Sequence, residues 1–521
     1  MAVVEAFLWL IAIMAASFWY VWLHRWQQQR SQDPKTWPLF GAQWEAMANM
    51  HRLHCWIHSF FSSTHRTVTL RTFAGRKIYL TVDPLNVYHI LKGNFQNYPK
   101  GERVHSVLHD FLGNGIFNAD GEMWKKHRKI ASFEFSNRKL KQMSIATFRH
   151  NALRLLSLLD ERVPSRQPLD LQDLFFRMTM DSLCQLIFGI EGSSLSPPLA
   201  KIPFASTFDN INDIIIARLV NPFWKIQRAF NIGNERIIKQ NLTTLNNLIV
   251  AVLEERRKAT KEIKSSEERC DLLSQFMRYN GCGDGKYSDD ELRDFIINFM
   301  VAGRDTTAVA LSWFVYCLCR HPHVVEQIQM ETLDALGLDI DHDLKMEDFA
   351  MRLDYESLMK MQYLHAALSE CLRLYPPVPR DGKTVLKDDV LPDGTFLEKG
   401  SQISYVPYSM GRLESLWGPD ALEYKPERWL KDGVFQHESP FKFPVFQAGP
   451  RTCLGKDYAY LQIKMTILLL LQFFKFDLVN VDVKYRVMMV MPIAGGLNVY
   501  VSHKMPRVSQ KRSMNSLPVL S

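Results

Sequence analysis

The stretch that decides the fold is FQAGPRTCLG, which runs from Phe446 to Gly455. Within it Cys453 lies between Gly449 and Gly455, and Arg451 stands two positions before the cysteine. Small residues let the backbone approach closely, turned amide groups can hydrogen-bond a sulfur, and nearby positive charge favours the ionised thiol. The pattern therefore predicts a loop that presents Cys453 as a thiolate. A buried cysteine in an ordinary glycine turn is the alternative, and the number of defined positions argues against it.

The composition is that of an ordinary globular protein. The chain has 521 residues, 47% of them hydrophobic, and 63 Lys+Arg against 55 Asp+Glu give a net charge of +8. This balance excludes disordered and collagen-like chains. No basic run with interleaved aromatic residues occurs, so we expect no nucleic-acid partner, and a membrane surface or an acidic protein fits the mild positive charge better. The eight cysteines have no regular spacing, which argues against a disulfide framework and a four-cysteine zinc site.

The N-terminus predicts a membrane anchor. Residues 6–23, AFLWLIAIMAASFWYVWL, carry no charge and are about long enough to cross a bilayer as a helix. A cleavable signal peptide is the alternative, but the apolar run is long, Glu5 replaces the expected basic residues, and no small-x-small cleavage site follows. The positive flank that begins with Arg25 predicts that the rest of the chain lies in the cytosol.

The remainder divides simply. We expect residues 1–24 to form the transmembrane signal anchor, residues 25–39 a linker stiffened by prolines, and residues 40–510 one catalytic domain. The apolar residues 465–472 are too few for a second span and predict a buried helix.

Helical periodicity dominates the domain, and strand patterns are few. They occur at residues 67–82, at residues 402–408, and at residues 487–501, where the pair Gly495-Gly496 predicts a hairpin turn between two apolar runs. The sequence therefore predicts a mainly helical protein with small sheets.

One long helix is predicted to run through the middle of the protein. Residues 281–291 read as a loop, and Ser288 followed three residues later by Glu291 is a capping box. The helix that follows extends to about Arg320 and is apolar on nearly all faces, so it must be buried. We call it the central helix.

Three polar residues interrupt the central helix. Arg304, Asp305 and Thr306 are consecutive, and a charged pair in an apolar interior is costly unless it is solvated or used. One interpretation is a functional acid beside a hydroxyl. The other is a local ion pair between Arg304 and Asp305, with Thr306 hydrogen-bonded to the preceding turn.

Two more constellations contain arginines. Glu370 and Arg373 lie three apart, as an ion pair on one helix face requires, and Arg428 could bridge the same carboxylate. Trp124 and Arg128 lie four apart in a basic segment. Taken alone, either set could be an ordinary surface feature.

Together these motifs resemble the cytochrome P-450 superfamily of haem-thiolate monooxygenases, and the resemblance covers essentially the whole chain after the linker. It implies a mainly α fold with small β-sheets, in which one large domain encloses haem b, iron protoporphyrin IX, behind an N-terminal transmembrane helix. It also implies that Cys453 is the metal ligand, whose electron donation favours O–O cleavage.

The resemblance implies a role for each motif. Asp305 and Thr306 would deliver protons, and Gly303 would make room for dioxygen. Glu370, Arg373 and Arg428 would form a structural triad that holds the thiolate side together. The implied cofactor-binding residues are Trp124 and Arg128 at one haem propionate, Arg451 at the other, and Phe446, Gly303 and Cys453.

The resemblance also implies partners and a location. Electrons would come from NADPH through NADPH-cytochrome P-450 reductase, whose acidic surface could dock on Lys125, Lys126 and Lys129. A solvated basic face is the alternative for these lysines. We expect a single-pass protein of the endoplasmic reticulum membrane.

Longer stretches resemble one plant branch, the long-chain fatty-acid omega-hydroxylases associated with cuticle and with pollen or spore walls. They include NYPKGE at residues 97–102, SYVPYSMGR at residues 404–412 and FKFPVFQAGPRTCLGKDYAYLQ around the cysteine. The implied reaction uses O2 to hydroxylate a long-chain fatty acid at or near its terminal carbon.

The substrate pocket implied by this branch would be long and apolar. Its candidate segments are residues 115–117, residues 214–219, Val301 and Ala302, Val378, and residues 491–493. Arg218, Arg380 and Lys383 are candidates for the substrate carboxylate, and Lys383 could instead meet a haem propionate.

Three other functions compete. A monooxygenase of the same branch could act on another carboxylate, such as a jasmonate conjugate, or at an in-chain position. An enzyme that rearranges fatty hydroperoxides would lack the acid–alcohol pair and carry an insertion in the cysteine loop, unlike this chain. A haem electron carrier would not need the acid–alcohol pair Asp305-Thr306, and the Cys-x-x-Cys-His motif for haem attachment does not occur.

Overall fold

The computed structural model describes residues 2–27, 34, 36–38, 40–196, 199, 203–262, 271–274, 288–338 and 344–504. Helices of six or more residues are Ala2–Gln27, Gln43–Ala48, Leu53–His58, Gly101–Leu112, Gly121–Phe135, Arg138–Arg162, Leu171–Phe188, Pro203–Val220, Trp224–Ala229, Asn234–Glu262, Asp289–Met300, Thr306–Arg320, Pro322–Leu336, Met346–Arg352, Tyr355–Lys360, Gln362–Leu374 and Lys456–Phe473. Shorter α-helices are Pro84–Tyr88, Pro407–Met410 and Glu414–Trp417. The predicted mainly α fold with small sheets is confirmed.

The central helix lies where it was predicted, and it contains a turn that was not. The side chain of Ser288 accepts from the Glu291 N–H, and Glu291 completes the capping box. After Asp289–Met300, the residues Val301–Asp305 form a π turn before α-helix resumes. The loop residues 281–287 lie outside the described residues.

The main core surrounds this helix. Buried side chains of Arg138–Arg162, Leu171–Phe188 and Gln362–Leu374 join those of the central helix in one continuous hydrophobic cluster. The helix Lys456–Phe473 belongs to the same cluster and is buried through residues 460–471. The prediction of a buried helix at residues 465–472 is confirmed.

A four-stranded sheet flanks the core in the order β1-β2-β7-β4. Its strands are β1 (Thr67–Arg71), β2 (Lys77–Thr81), β4 (Asp381–Thr384) and β7 (Gln402–Tyr405). β1 and β2 lie within residues 67–82, where strands were predicted. They pair antiparallel with Thr69 opposite Tyr79, and β7 runs parallel to β2. The predicted strand at residues 402–408 is wrong at its end, because Pro407 starts a helix there.

The predicted C-terminal hairpin is wrong. β11 (Asn498–His503) pairs with β10 (Phe474–Leu478) and with β3 (Leu169–Asp170). The apolar run before the glycines forms only a single bridge to Tyr485. Gly496 has φ +81° and packs against the Asp170 carboxylate, so the chain turns there toward a distant partner. The remaining strands are β5 (Asp389–Val390) with β6 (Phe396–Leu397), and β8 (Leu430–Lys431) with β9 (Val434–Phe435).

The N-terminal helix Ala2–Gln27 fits the predicted single-pass anchor. Its segment Glu5–Leu23 is long and apolar enough to cross a membrane, and none of it is buried inside the protein. Parts of the predicted linker, residues 28–33, 35 and 39, lie outside the described residues, as do residues 505–510 of the predicted domain.

Candidate active site

A large cavity lies between the central helix and the cysteine loop, residues 446–455. The space along its walls, counted out to where it opens to solvent, is about 1800 Å³. The predicted site residues on its wall are Trp124, Arg128, Gly303, Thr306, Phe446, Arg451 and Cys453. Asp305 is not on this wall. Motifs more than 300 residues apart in the sequence therefore meet around one space.

The cysteine loop owes its shape to one glycine and one backbone hydrogen bond. Gly449 has φ +64°, and a Cβ there would lie 2.1 Å from the carbonyl oxygen of Leu91, so no side chain fits. The N–H of Cys453 donates to the Phe446 carbonyl at 2.8 Å and closes the loop. The Cys453 side chain is exposed toward the cavity.

Opposing effects act on the Cys453 thiol. Its pKa is raised on balance, because the surrounding protein desolvates the thiol more than the hydrogen bond from the Gly455 N–H and the positive charges of Arg128 and Lys456 lower the pKa. These groups stabilise negative charge on the sulfur, as a thiolate metal ligand requires.

One edge of the cavity is cationic. Arg451 donates to the Asp120 carboxylate at 2.6 Å, and its guanidinium lies 4.6 Å from the centre of the Trp124 ring. Its buried Nε has no partner, and Arg128 makes no hydrogen bond or ion pair with the described residues. Burial lowers the pKa of both arginines. Both guanidinium groups therefore retain donors for an anion.

Lys383 adds to this edge. Its ammonium lies on the cavity wall and pairs with Asp381 at 2.7 Å, and Asp381 also pairs with Lys100. Burial lowers the pKa of Lys383 to about 7, with Asp381 opposing the shift and the charge of Arg451 adding to it. Lys383 therefore lies at the same edge of the cavity as Arg451, as it must if it contacts a haem propionate rather than the substrate carboxylate. No role was predicted for Asp381 or for Lys100, although Lys100 lies in the stretch of residues 97–102 that carries part of the resemblance.

These residues fit haem. A thiol faces the cavity, the rest of the wall is largely apolar, and two guanidinium groups with free donors meet at one edge. A flat apolar macrocycle that carries two carboxylates and an iron with a thiolate ligand would be held by this set of groups.

Above the cavity the central helix is distorted. The π turn Val301–Asp305 ends at Thr306, whose hydroxyl donates to the Ala302 carbonyl at 2.5 Å. A Cβ on Gly303 would lie 2.7 Å from the Leu183 side chain. A glycine at position 303 therefore allows close packing against the helix Leu171–Phe188. The sequence analysis did not predict this role for Gly303.

Asp305 points away from the cavity into a buried polar cluster. It accepts from Arg304 at 2.8 Å and from Asn212 at 3.2 Å, and Arg304 also pairs with Asp209 at 2.9 Å. Burial raises the pKa of Asp305 to about 6, against the opposing charge of Arg304. Both contacts of the second interpretation, the Arg304–Asp305 ion pair and the hydrogen bond from Thr306 to the preceding turn, are therefore present. Proton delivery by this pair stays a prediction.

The Glu370 cluster has the predicted geometry and is not on the surface. Arg373 donates to both Glu370 oxygens at 2.7 Å, and Arg428 lies 3.3 Å from the same carboxylate. Glu370 and Arg373 are fully buried. The neighbouring Leu372 lines the cavity, so this ion cluster holds one of its walls.

The pocket candidates divide into two groups. Ile116, Phe117, Ala302 and Val378 line the cavity. The cavity wall does not include residues 214–219, Val301 or residues 491–493. Apolar lining residues without a sequence signal are Phe135, Leu140, Phe148, Leu183, Leu186, Ile187 and Phe299.

Arg218 is excluded as a carboxylate ligand. It is 3% exposed, donates to both oxygens of Glu235 at 2.8 and 2.6 Å, and pairs with Asp110. Its donors are used inside the protein.

The basic segment is exposed as predicted. Lys125 pairs with Glu122 at 2.7 Å, Lys126 lies 3.9 Å from Glu291, and Lys129 is also exposed. A reductase contact here stays a prediction.

The fold and the cysteine site define a haem-thiolate protein. A family model described as Cytochrome P450 matches residues 32–494, so the chain belongs to the cytochrome P450 family and is a monooxygenase. Relatives include Cytochrome P450 704B1 of Arabidopsis thaliana, 43% identical over 95% of this chain and 99% of its own, and Cytochrome P450 704C1 of Pinus taeda, 42% identical over 94% and 96%. Cytochrome P450 94A2 of Vicia sativa is 40% identical over 83% of each chain.

Proposed function

We propose that this protein hydroxylates long-chain fatty acids at or near the omega carbon, using O2 and electrons that NADPH-cytochrome P-450 reductase takes from NADPH. The observation that carries the proposal is the large, mainly apolar cavity that has Cys453 and Thr306 on its wall. Such a space suits a long alkyl chain. The resemblance to plant omega-hydroxylases supports the same substrate, for lipid polymers such as cutin, suberin or sporopollenin.

Haem would be held by Cys453 at the iron and by Trp124, Arg128, Arg451 and Lys383 at its carboxylates. When bound, it supplies the oxidising chemistry that a strong, unactivated C–H bond requires. The protein contributes position, because an apolar wall can hold a terminal methyl group but offers it no acid or base.

Proton supply belongs to the central helix. The Thr306 hydroxyl lies on the cavity wall, and rotation away from the Ala302 carbonyl turns its proton toward the cavity. Asp305 is the adjacent residue, and its pKa of about 6 lets its carboxylate take up and release a proton close to neutral pH. The buried carboxyl is the reservoir and the hydroxyl is the group that faces the substrate.

We place the protein in the endoplasmic reticulum membrane. The helix Ala2–Gln27 would anchor it through residues 1–24, the linker would span residues 25–39, and the domain of residues 40–510 would lie in the cytosol.

Mass-spectrometric product mapping tests the proposal. The full-length protein is combined with reductase, NADPH and fatty acids from C12 to C24, with a jasmonate conjugate as the competing substrate. Terminal hydroxylation of a long-chain acid supports the proposal. Conversion of the conjugate alone, or oxidation only within the chain, favours the second substrate class. If a fatty hydroperoxide, added without NADPH, rearranges while no acid of the panel gains an oxygen atom, the fatty-acid hydroxylation proposed here is wrong.

A further inference from the structure

Two arginines, Arg103 and Arg380, flank the cavity wall without lining it, and neither has a carboxylate within ion-pair distance among the described residues. Arg380 lies between Val378 and Asp381, which both line the cavity, and Arg103 lies one helical turn after Lys100, which also lines it. Neither guanidinium makes a hydrogen bond or an ion pair with the described residues. Both side chains are partly buried.

The backbone fixes these arginines near each other. The N–H of Thr384 donates to the Pro99 carbonyl at 2.8 Å, and its hydroxyl donates to the Lys100 carbonyl at 2.9 Å. Gly101 fits against Thr384 so closely that a Cβ would lie 2.3 Å from its hydroxyl. The start of the helix Gly101–Leu112 is therefore locked onto β4, whose first residue follows Arg380.

The charges of the two arginines repel each other. Burial lowers the pKa of Arg380, and the charge of Arg103 adds to this effect against the attraction of Asp381. Burial also lowers the pKa of Arg103, and the charge of Arg76 adds to it. For Arg380 desolvation and the repulsion of Arg103 outweigh the attraction of Asp381, so the charged pair is unfavourable until an anion binds it.

A buried histidine adjoins the pair. His54 is 5% exposed, and neither of its ring nitrogens has a partner. Burial and the charge of Arg380 lower its pKa to about 3, so it is neutral and retains one N–H donor.

We propose that Arg103 and Arg380 bind the carboxylate head of the substrate at the margin of the cavity while its alkyl chain extends inside. This inference deepens the proposed function and rests on it. Arg218 has its donors occupied and Lys383 lies with Arg451 at the edge that fits haem, so Arg380 is the carboxylate candidate with free donors. If the carboxylate is held at the margin of the cavity, away from Cys453, the opposite end of the alkyl chain is the part available for oxidation.

Binding measurements on the full-length haem-loaded protein in nanodiscs test this site. Isothermal titration compares hexadecanoic acid, hexadecan-1-ol and hexadecyl phosphate with the wild type, Arg103→Gln, Arg380→Gln and Arg380→Lys. We expect each Gln variant to weaken acid binding about 10- to 100-fold and to leave alcohol binding unchanged, since only the acid offers a charge-assisted contact. Arg380→Lys should restore part of the loss.

A matched control removes a partly buried arginine elsewhere. Arg177 pairs with Asp173 at 2.6 Å on the helix Leu171–Phe188, so Arg177→Gln should leave acid binding unchanged. The melting temperature gives a second readout. Because desolvation and the repulsion of Arg103 outweigh the attraction of Asp381 at Arg380, Arg380→Gln should not lower the melting temperature.

Each outcome decides a different point. Unchanged acid binding in both Gln variants, or an equal loss for the alcohol, overturns the carboxylate site while the proposed function stands. A loss for the phosphate but not for the acid assigns the pair to lipid head groups and also overturns it. If the wild type binds neither acid nor alcohol, the proposed substrate class fails, and this inference fails with it.

Discussion

Neutralising Glu370 is expected to cost more stability than any surface charge change in this protein. The Glu370 carboxylate accepts from Arg373 at 2.7 Å through both oxygens, from the Trp429 indole at 2.9 Å and from the Lys425 N–H at 3.0 Å. Arg428 lies 3.3 Å away. Glu370→Gln keeps the size of the side chain and removes its charge, which leaves the fully buried Arg373 without a counterion.

The expected magnitude follows from burial. Removing one partner of a buried ion pair costs about 3–5 kcal/mol, because the other charge stays in a medium that solvates it poorly. Arg373 also donates to the carbonyls of Ala421 and Glu423, and these bonds hold the guanidinium in place without neutralising it. We therefore expect the loss to lie at the lower end, about 3 kcal/mol.

Urea unfolding of the full-length protein measures this loss. The midpoint is followed by far-ultraviolet circular dichroism and by the thiolate-haem Soret band, and its shift multiplied by the slope m gives the change in free energy. The matched control is Glu122→Gln, which breaks an exposed pair with Lys125 and should cost less than about 0.5 kcal/mol. If Glu370→Gln costs less than about 1 kcal/mol, the assignment of Glu370 as the counterion of Arg373 is wrong.

Three other predictions concern the site. Thr306→Ala should divert reducing equivalents to peroxide, measured as H2O2 formed per NADPH consumed. Its control is Ser312→Ala, which removes a similar hydroxyl bonded to the preceding turn at 2.7 Å and should not raise peroxide formation. Equal product per NADPH in the wild type and Thr306→Ala would contradict proton delivery by Thr306. Between pH 4 and 6 folded Asp305 keeps a proton that the unfolded chain has lost, so stability should fall by roughly 3 kcal/mol as the pH rises through this window, and level off above it. Urea midpoints of Asp305→Asn should lack this decline, and an identical pH profile would refute the raised pKa. Gly449→Ala should prevent haem incorporation, measured by the Soret band, because its Cβ would lie 2.1 Å from a backbone oxygen. The control Gly394→Ala should incorporate haem normally, because Gly394 also has a positive φ, +85°, but no atom lies within 4 Å of the added Cβ.

The sequence predicted features that depend on local spacing. The capping box at Ser288, the ion pair of Glu370 with Arg373, and the buried helix at residues 465–472 each follow from residues within a few turns of one another. The cysteine loop belongs only partly to this class: the Cys453 N–H closes it on the Phe446 carbonyl within the motif, but the carbonyl that requires a glycine at position 449 belongs to the distant Leu91.

Features that depend on a distant partner were missed. The segment before Gly495 has the pattern of a strand, and the sequence predicted that it pairs with β11. In the structure β11 pairs with β10 instead, and β10 follows an apolar helix so directly that its strand pattern was not recognised. The orientation of Asp305 likewise depends on Asn212, more than 90 residues away in the sequence. No spacing rule within the central helix could distinguish a carboxylate on the cavity wall from one behind it.

The arginines of this protein show where its ligands belong. Arg218, Arg304 and Arg373 are buried deep in the structure, and each has a carboxylate within 3.0 Å. Arg128 and Arg380 keep intermediate solvent exposure and have no acidic partner within ion-pair distance among the described residues. An arginine whose counterion is a ligand destabilises the protein without the ligand, because its charge is then unpaired. Ligand binding removes this cost and so stabilises the folded protein. Haem and a fatty acid should therefore each raise the melting temperature, haem through Arg128 and the acid through Arg380. A fatty alcohol lacks the carboxylate and should give a smaller shift than the acid of equal chain length, and this difference should disappear in Arg380→Gln.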